Sequence, residues 1–225
     1  MNIALFGGTF DPIHTGHLKA ARAAARRFRL NRILFVPSGN PPHKIGNHLT
    51  PFEHRFAMVS LACAADRRFV PSLLEAPTPD GRPHYSISTI RKARRFLKRG
   101  DRLFFLIGVD AFLDLPHWKN YRGLLDLVDF IVVSRPGYPN RRIAATIPSG
   151  MVRGRARVAG RRAIHLRRSV VHIVRGIDAP VASSDIRDAA GAGRGLTGLV
   201  PPLVEEYIRK EGLYRSAPKA ERVRS

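Results

Sequence analysis

An apolar run, NIALF (2–6), breaks directly into GGTFDPIHTGH (7–17) and then into the Ala-rich stretch HLKAARAAARRF (17–28). This junction constrains the fold more than any other feature. A short run with four consecutive apolar residues suits a strand buried on both faces, and the Ala-rich stretch suits a helix. The two glycines and the Asp-Pro force a sharp turn between them. A strand covered on both faces needs helices above and below it, which is the environment of a parallel sheet.

The rest of the chain repeats the alternation. Strands are expected at 32–37, 102–108, 129–137 and 172–176, with a short Pro-interrupted one in RFVPSLLEA (68–76). Helices are expected at 51–65, 85–100, 183–193 and 201–214. The helix at 51–65 carries Thr50 as an N-cap, Pro51 at the first helical position and Glu53 completing a capping box. The predicted fold is α/β: a Rossmann-like doubly wound parallel sheet, one domain over 1–214 with a small C-terminal helical part. Residues 141–168 carry nine arginines and no acid and read as an Arg-rich surface connection. The polar tail, 215–225, is expected to fray.

Cys63 is the only cysteine, which excludes an intrachain disulfide, and its apolar surroundings predict a buried thiol. No apolar run reaches the length of a membrane span and no signal-like segment opens the chain, so a cytoplasmic protein with no membrane partner is expected. The formal net charge of +22 raises nucleic acid and small polyanions as partners. Arg outnumbers Lys 32 to 7, and a compositional bias toward Arg at solvated positions is taken as the main cause. The basic run 141–168 lacks interleaved aromatics, and no specific nucleic-acid partner is expected.

In a doubly wound sheet, ligands sit beyond the C-terminal strand ends. The turns 7–17, 38–44, 108–118 and 135–137 all fall there. A strand, two glycines and a helix N-terminus together make an anion site, because backbone N–H groups and the helix dipole face the ligand. The spacing matches neither G-x-G-x-x-G nor the P-loop. What remains is H-x-G-H, with His14 just before the helix, His17 in its first turn, and Gly16 leaving room for a flat ring. Two His without Cys or a suitably spaced Glu make a poor zinc site. A general base oriented by Asp11 is a further reading, but no Ser or Cys nucleophile accompanies it. Hydrogen-bond donation to phosphate oxygens, where charge develops, suits the pair best.

GGTFDPIHTGH resembles the signature of the nucleotidylyltransferase superfamily. VPSGNPPHK (36–44), HYSISTI (84–90), GVDAFLDLPHW (108–118), VVSRPGYP (132–139), SSDIR (183–187) and EGLY (211–214) are similar, in order and spacing, to bacterial nicotinate-nucleotide adenylyltransferases. The resemblance covers 2–214. It implies transfer of AMP from ATP, with Mg²⁺, to nicotinate mononucleotide, giving deamido-NAD and pyrophosphate without a covalent intermediate. Carried onto matching positions, it implies that Gly8, Thr9 and Phe10 shape the nucleotide turn and that His14 and His17 contact ATP phosphates. It further implies that Lys44 neutralises phosphate charge, that Asp110 serves the adenosine side, and that Ser184 and Arg187 hold the outer phosphates. Trp118 would stack on the pyridine ring, with Tyr85, Ser86 and Arg135 on the mononucleotide side.

Each assignment has a plainer alternative: Trp118 and Tyr85 as packing residues, Asp110 as a helix cap, Lys44 as a solvated cation, His43 as a loop brace. The chain also departs from the family's I-S-S-T-x-I-R: it reads VASSDIR, so Ala182 lacks one hydroxyl while Ser184 keeps another. A phosphopantetheine adenylyltransferase shares the first motif but lacks PPHK and the tryptophan loop. A silent nucleotide sensor or an RNA-binding protein are rivals of another class, and the intact histidines oppose the sensor.

Overall fold

The first strand, β1 (Asn2–Gly8), pairs in parallel with β2 (Arg32–Pro37) on one side and with β4 (Arg102–Gly108) on the other. The structure is a computed structural model that describes residues 1–40, 49–134, 140–153, 162–175 and 181–215. β3 (Phe69–Pro71), β5 (Asp129–Val133), β6 (Ala163–His165) and β7 (Val170–Val174) complete one sheet, in the order β3-β2-β1-β4-β5-β7-β6. Every pairing is parallel except β6 with β7.

The helices are α1 (Thr15–Phe28), α2 (Phe52–Cys63), α3 (Ser86–Arg94), α4 (Val109–Leu113), α5 (Tyr121–Leu127), α6 (Asn140–Thr146), α7 (Ser183–Gly191) and α8 (Pro202–Lys210). Alternation along β1 explains the two layers. Ala4 and Phe6 face a core shared with Ala21, Met58, Ile186 and Val204 from α1, α2, α7 and α8. Leu5 faces the opposite core with Ile90, Phe112 and Leu124. Such period-2 burial on both faces is what a central parallel strand requires. Cys63 is buried, and burial pushes its thiol up to about 12. Among the described residues no helix is long and apolar enough to cross a membrane.

The sheet is not wholly parallel. Part of 141–168, expected as a surface connection, forms α6 and the antiparallel edge strand β6. Ile143, Ile147, Ile164 and Leu166 are buried, so four apolar residues dispersed among the arginines anchor the segment to the core. Several element ends also move. β5 stops at Val133 in the structure rather than at 137, and 135–139 lie outside the described residues. α3 stops at Arg94; Arg95, Phe96 and Leu97 then tighten into i→i+3 bonds before Gly100 turns at φ +88°.

Thr50 does not cap α2. Its N–H donates to Asp11 Oδ2 at 3.3 Å and its carbonyl accepts from Arg55 Nε at 2.8 Å. Pro51 (φ −46°, ψ 146°) takes the cap position instead. A tertiary network therefore overrides the local capping box.

Candidate active site

β1 and β4 end side by side, and their terminal glycines form a ridge between two chambers. One chamber, about 250 Å³, is lined by His14, Gly16, His17 and Asp110 together with Gly7, Gly8 and Gly108. The other, about 260 Å³, shares those three glycines and adds Thr9, Ser38, Glu75, Ser86, Thr89 and Trp118. The site thus lies where the switch-point rule for open sheets puts it.

The histidines are placed by the start of α1. His14 is the N-cap, with extended backbone (φ −142°, ψ 171°), and His17 stands one turn on. Their rings stack at 3.7 Å between centroids, 29° from parallel. The His14 N–H donates to His17 Nδ1 at 3.2 Å. A nitrogen that accepts from an amide carries no proton, so the ring proton of His17 sits on Nε2, which is the donor. Phe10, at φ 50°, turns its buried ring under His17 at 5.0 Å, edge to face. It braces the histidine and lines neither chamber. A Cβ on Gly8 would meet that ring at 3.0 Å, so a side chain at Gly8 would push against the ring that braces His17.

Side chains from behind hold the turn between Gly8 and α1. Arg55 Nη1 donates to the Thr9 carbonyl at 2.8 Å, Arg187 Nη1 to the Asp11 carbonyl at 2.8 Å, and Ser183 Oγ to the Pro12 carbonyl at 3.0 Å. The Asp11 carboxylate, 3% exposed, accepts from Tyr214 Oη at 2.8 Å as well as from Thr50. Arg55 is 1% exposed. Burial draws it below its ordinary value, and the Asp11 charge opposes that most strongly. Burial, reinforced by Asp11, pushes the Tyr214 hydroxyl up.

On the opposite side of the ridge, Asp114 fixes the tryptophan loop. Its Oδ2 accepts from Trp118 Nε1 at 3.1 Å, and its Oδ1 lies 2.8 Å from His117 Nδ1. The indole is half-buried and meets Phe105 edge-on at 6.4 Å. Tyr85 caps α3, with Lys119 Nζ 4.1 Å over its ring. Ser86 in the first turn lines the chamber. Glu75 is buried in the chamber wall, where burial raises its carboxyl above the usual range and a 2.7 Å bond from Thr89 Oγ1 opposes that. Gly39 is obligatory here, since a Cβ would lie 2.0 Å from the Glu75 carbonyl.

The structure therefore brings together His14, His17 and Asp110 on one side of the ridge, and Thr9, Ser86 and Trp118 on the other, with Gly8 on the ridge itself. Asp110 both occupies the first turn of α4 and lines its chamber. Ser184 is exposed at the start of α7, 3.3 Å from Asp185 Oδ1, and Arg187 reaches the turn from the same helix. Lys44, His43 and Arg135 lie outside the described residues. Sequence reasoning missed Arg55, Tyr214, Glu75, Thr89 and Asp114. Of these, only Asp114 left a usable local signal, its i,i+4 spacing to Trp118 in a polar loop.

The cytidylyltransferase-like family matches residues 5–189. A protein of Solibacter usitatus named "Probable nicotinate-nucleotide adenylyltransferase" is 41% identical over 214 residues, covering 95% of this chain and all of that one. A Thermus thermophilus protein of the same name is 38% identical over 215 residues, covering 96% of this chain and all of that one. Among solved structures, the Plasmodium falciparum nicotinic acid mononucleotide adenylyltransferase complexed with NaAD superposes with a TM-score of 0.71. It is 17% identical and covers 95% of this chain and 97% of that one. At that identity the likeness speaks for the fold alone.

Proposed function

The chain belongs to the cytidylyltransferase-like family and, within it, to the nicotinate-nucleotide adenylyltransferases, and from that premise we propose how its two chambers divide the work. The protein transfers the adenylyl group of ATP to nicotinate mononucleotide, forming deamido-NAD and pyrophosphate, a step of NAD biosynthesis. The observation that carries the division is the shared glycine ridge: two chambers of similar volume meet only along Gly7, Gly8 and Gly108 and their neighbours Ile107 and Ala111.

ATP occupies the His14/His17 side, with Asp110 toward its ribose. The mononucleotide occupies the Trp118 side, its pyridine ring against the indole. The two phosphates then converge over Gly8. A phosphate oxygen of the mononucleotide attacks the α-phosphorus, and the bond from that phosphorus to the bridging oxygen of the β-phosphate breaks. Pyrophosphate departs toward α7. No protein nucleophile is needed, so the protein's contribution is positioning and charge stabilisation. His17 Nε2–H and the His14 imidazole donate to oxygens that gain charge. Ser184 and Arg187, with Lys44 and Arg135 by resemblance, meet the remaining anionic groups.

Mg²⁺ fits this arrangement as a companion of the nucleotide. Among the described residues no three His, Cys, Asp or Glu side chains cluster as a metal cage, whereas Asp110 stands in the phosphate-side chamber. That is the donor set of an ion held mainly by phosphates and water. When bound, Mg²⁺ supplies charge neutralisation on the phosphates; orientation of the reactants belongs to the residues above.

The test is pyrophosphate release from ATP and Mg²⁺ with nicotinate mononucleotide, nicotinamide mononucleotide or phosphopantetheine as acceptor. Release with the first, coupled to deamido-NAD formation, is expected. Turnover only with phosphopantetheine overturns the reading.

A further inference from the structure

The catalytic mouth occupies the C-terminal edge of the sheet, yet a run of exposed positive charge lies at the other edge. α3 runs from Ser86 at the mouth down to Arg94, and β4 starts back upward at Arg102. The connection between them exposes Arg95, Phe96, Lys98 and Arg99, continuing the exposed Arg91 and Lys92 of the helix. Phe96 is 75% exposed, the most exposed large apolar side chain among the described residues. The two acids beside it are already engaged: Asp101 with the Met1 ammonium at 2.5 Å, and Asp129 with Arg102 at 3.1 Å. Among the described residues, no carboxylate forms an ion pair with Arg91, Lys92, Arg95, Lys98 or Arg99.

Two ordinary explanations fall short. Cations in the last turn of a helix offset its dipole, but that effect ends within the turn, and Lys98 and Arg99 lie beyond it. Steering of anionic substrates fails on distance. The seven residues of β1, at about 3.3 Å each, separate this edge from the mouth by about 20 Å. The Debye length at physiological salt is about 8 Å, so these charges are screened from the mouth.

We infer that the α3–β4 connection is a docking surface for single-stranded nucleic acid, read without base sequence. Guanidinium forks suit phosphate oxygens, and one exposed aromatic ring among cations is the minimal stacking platform for an unpaired base. An anionic bilayer fits less well. Insertion needs an apolar helix face, and that of α3, through Ile87, Ile90 and Ala93, is buried in the core. Only Phe96 is left to enter a membrane, whereas stacking needs only one ring.

The test is fluorescence anisotropy of a labelled oligouridylate with the full chain at several salt concentrations. Five phosphate contacts predict a slope of log K against log salt of roughly −3.5. Phe96→Ala is expected to weaken binding roughly fivefold or more. The double variant Arg95→Glu/Lys98→Glu is expected to abolish binding at physiological salt. Arg141→Glu/Arg142→Glu, an equal charge change in the Arg-rich segment, is expected to leave it nearly intact. All variants are expected to retain pyrophosphate release. Equal loss in both double variants, which would mean net charge alone, overturns the inference. So does an unaffected Phe96→Ala, or binding to phosphatidylserine vesicles without binding to the oligonucleotide.

Discussion

Tyr214 Oη donates to Asp11 Oδ1 at 2.8 Å across 203 positions of sequence, tying the C-terminal EGLY stretch to the turn that carries His14. The same carboxylate accepts from the Thr50 N–H, just before α2, and its charge acts on the buried Arg55. Tyr214→Phe removes one bond to a charged group and is expected to cost about 2 kcal/mol. Asp11→Ala leaves the Arg55 guanidinium buried without its compensating charge and is expected to cost about 3 kcal/mol or more. Urea unfolding of both variants checks the order; an Asp11→Ala protein as stable as Tyr214→Phe contradicts it.

His17→Ala is expected to lower kcat by about 10²-fold or more, the usual loss when one preorganised donor to a developing charge is removed. His14→Ala acts in the same direction, with an added positional effect. Its ring stacks on His17 and its N–H fixes the His17 tautomer, and alanine keeps the second constraint but not the first. Single-turnover kinetics with intact circular dichroism separates loss of catalysis from loss of fold. Near wild-type turnover in either variant excludes that histidine as a donor.

What was legible in the sequence follows from range. The strand–turn–helix at 2–28, both histidines and the tryptophan loop rest on local pattern, and the structure has them together at the C-terminal edge of the sheet. β6 was not legible. Its only buried residue is Ile164, with Leu166 buried just beyond its end, too few residues to show a period among nine arginines. The Thr50 capping box failed for the opposite reason. The local signal was sound, but Asp11 and Arg55 claimed both backbone groups of Thr50 from other parts of the chain. The Asp11–Arg55–Tyr214 network joins residues 11, 55 and 214, a relation that spacing along the chain does not encode.

Glu75 makes stability depend on pH in a defined direction. Burial raises its folded-state pKa above the ordinary value of 4.5. Below the unfolded value the acid is neutral in both states and carries no penalty. As pH rises through the folded pKa, the unfolded chain ionises more readily, and stability falls. Glu75→Gln keeps an oxygen for Thr89 and cannot ionise. Its melting temperature relative to wild type is therefore expected to rise from pH 4 to pH 8. A constant difference across that range would mean that Glu75 is ionised without cost in the fold.

The preference between acid and amide mononucleotides tests the Trp118 chamber most directly. The two substrates differ only by a carboxylate against a carboxamide, so ring stacking on the indole serves both alike. Discrimination has to come from hydrogen-bond donors at the ring's edge, and these are expected at the start of α3, where Tyr85 is the cap and Ser86, in the first turn, lines that chamber. A carboxylate would accept from two such donors. A carboxamide turns its NH₂ toward one of them and leaves it unpaired, at a cost of about 1–3 kcal/mol, with the loss of charge assistance added. Nicotinate mononucleotide is therefore expected to exceed nicotinamide mononucleotide in kcat/KM by roughly 10²-fold or more. Trp118→Ala is expected to weaken both substrates while leaving their ratio nearly unchanged, because it removes the stacking surface and not the donors. A ratio near one in the wild-type protein would place the discriminating contacts elsewhere. A ratio that collapses only in Trp118→Ala would show that the indole, held through Asp114, sets the angle at which the ring meets α3.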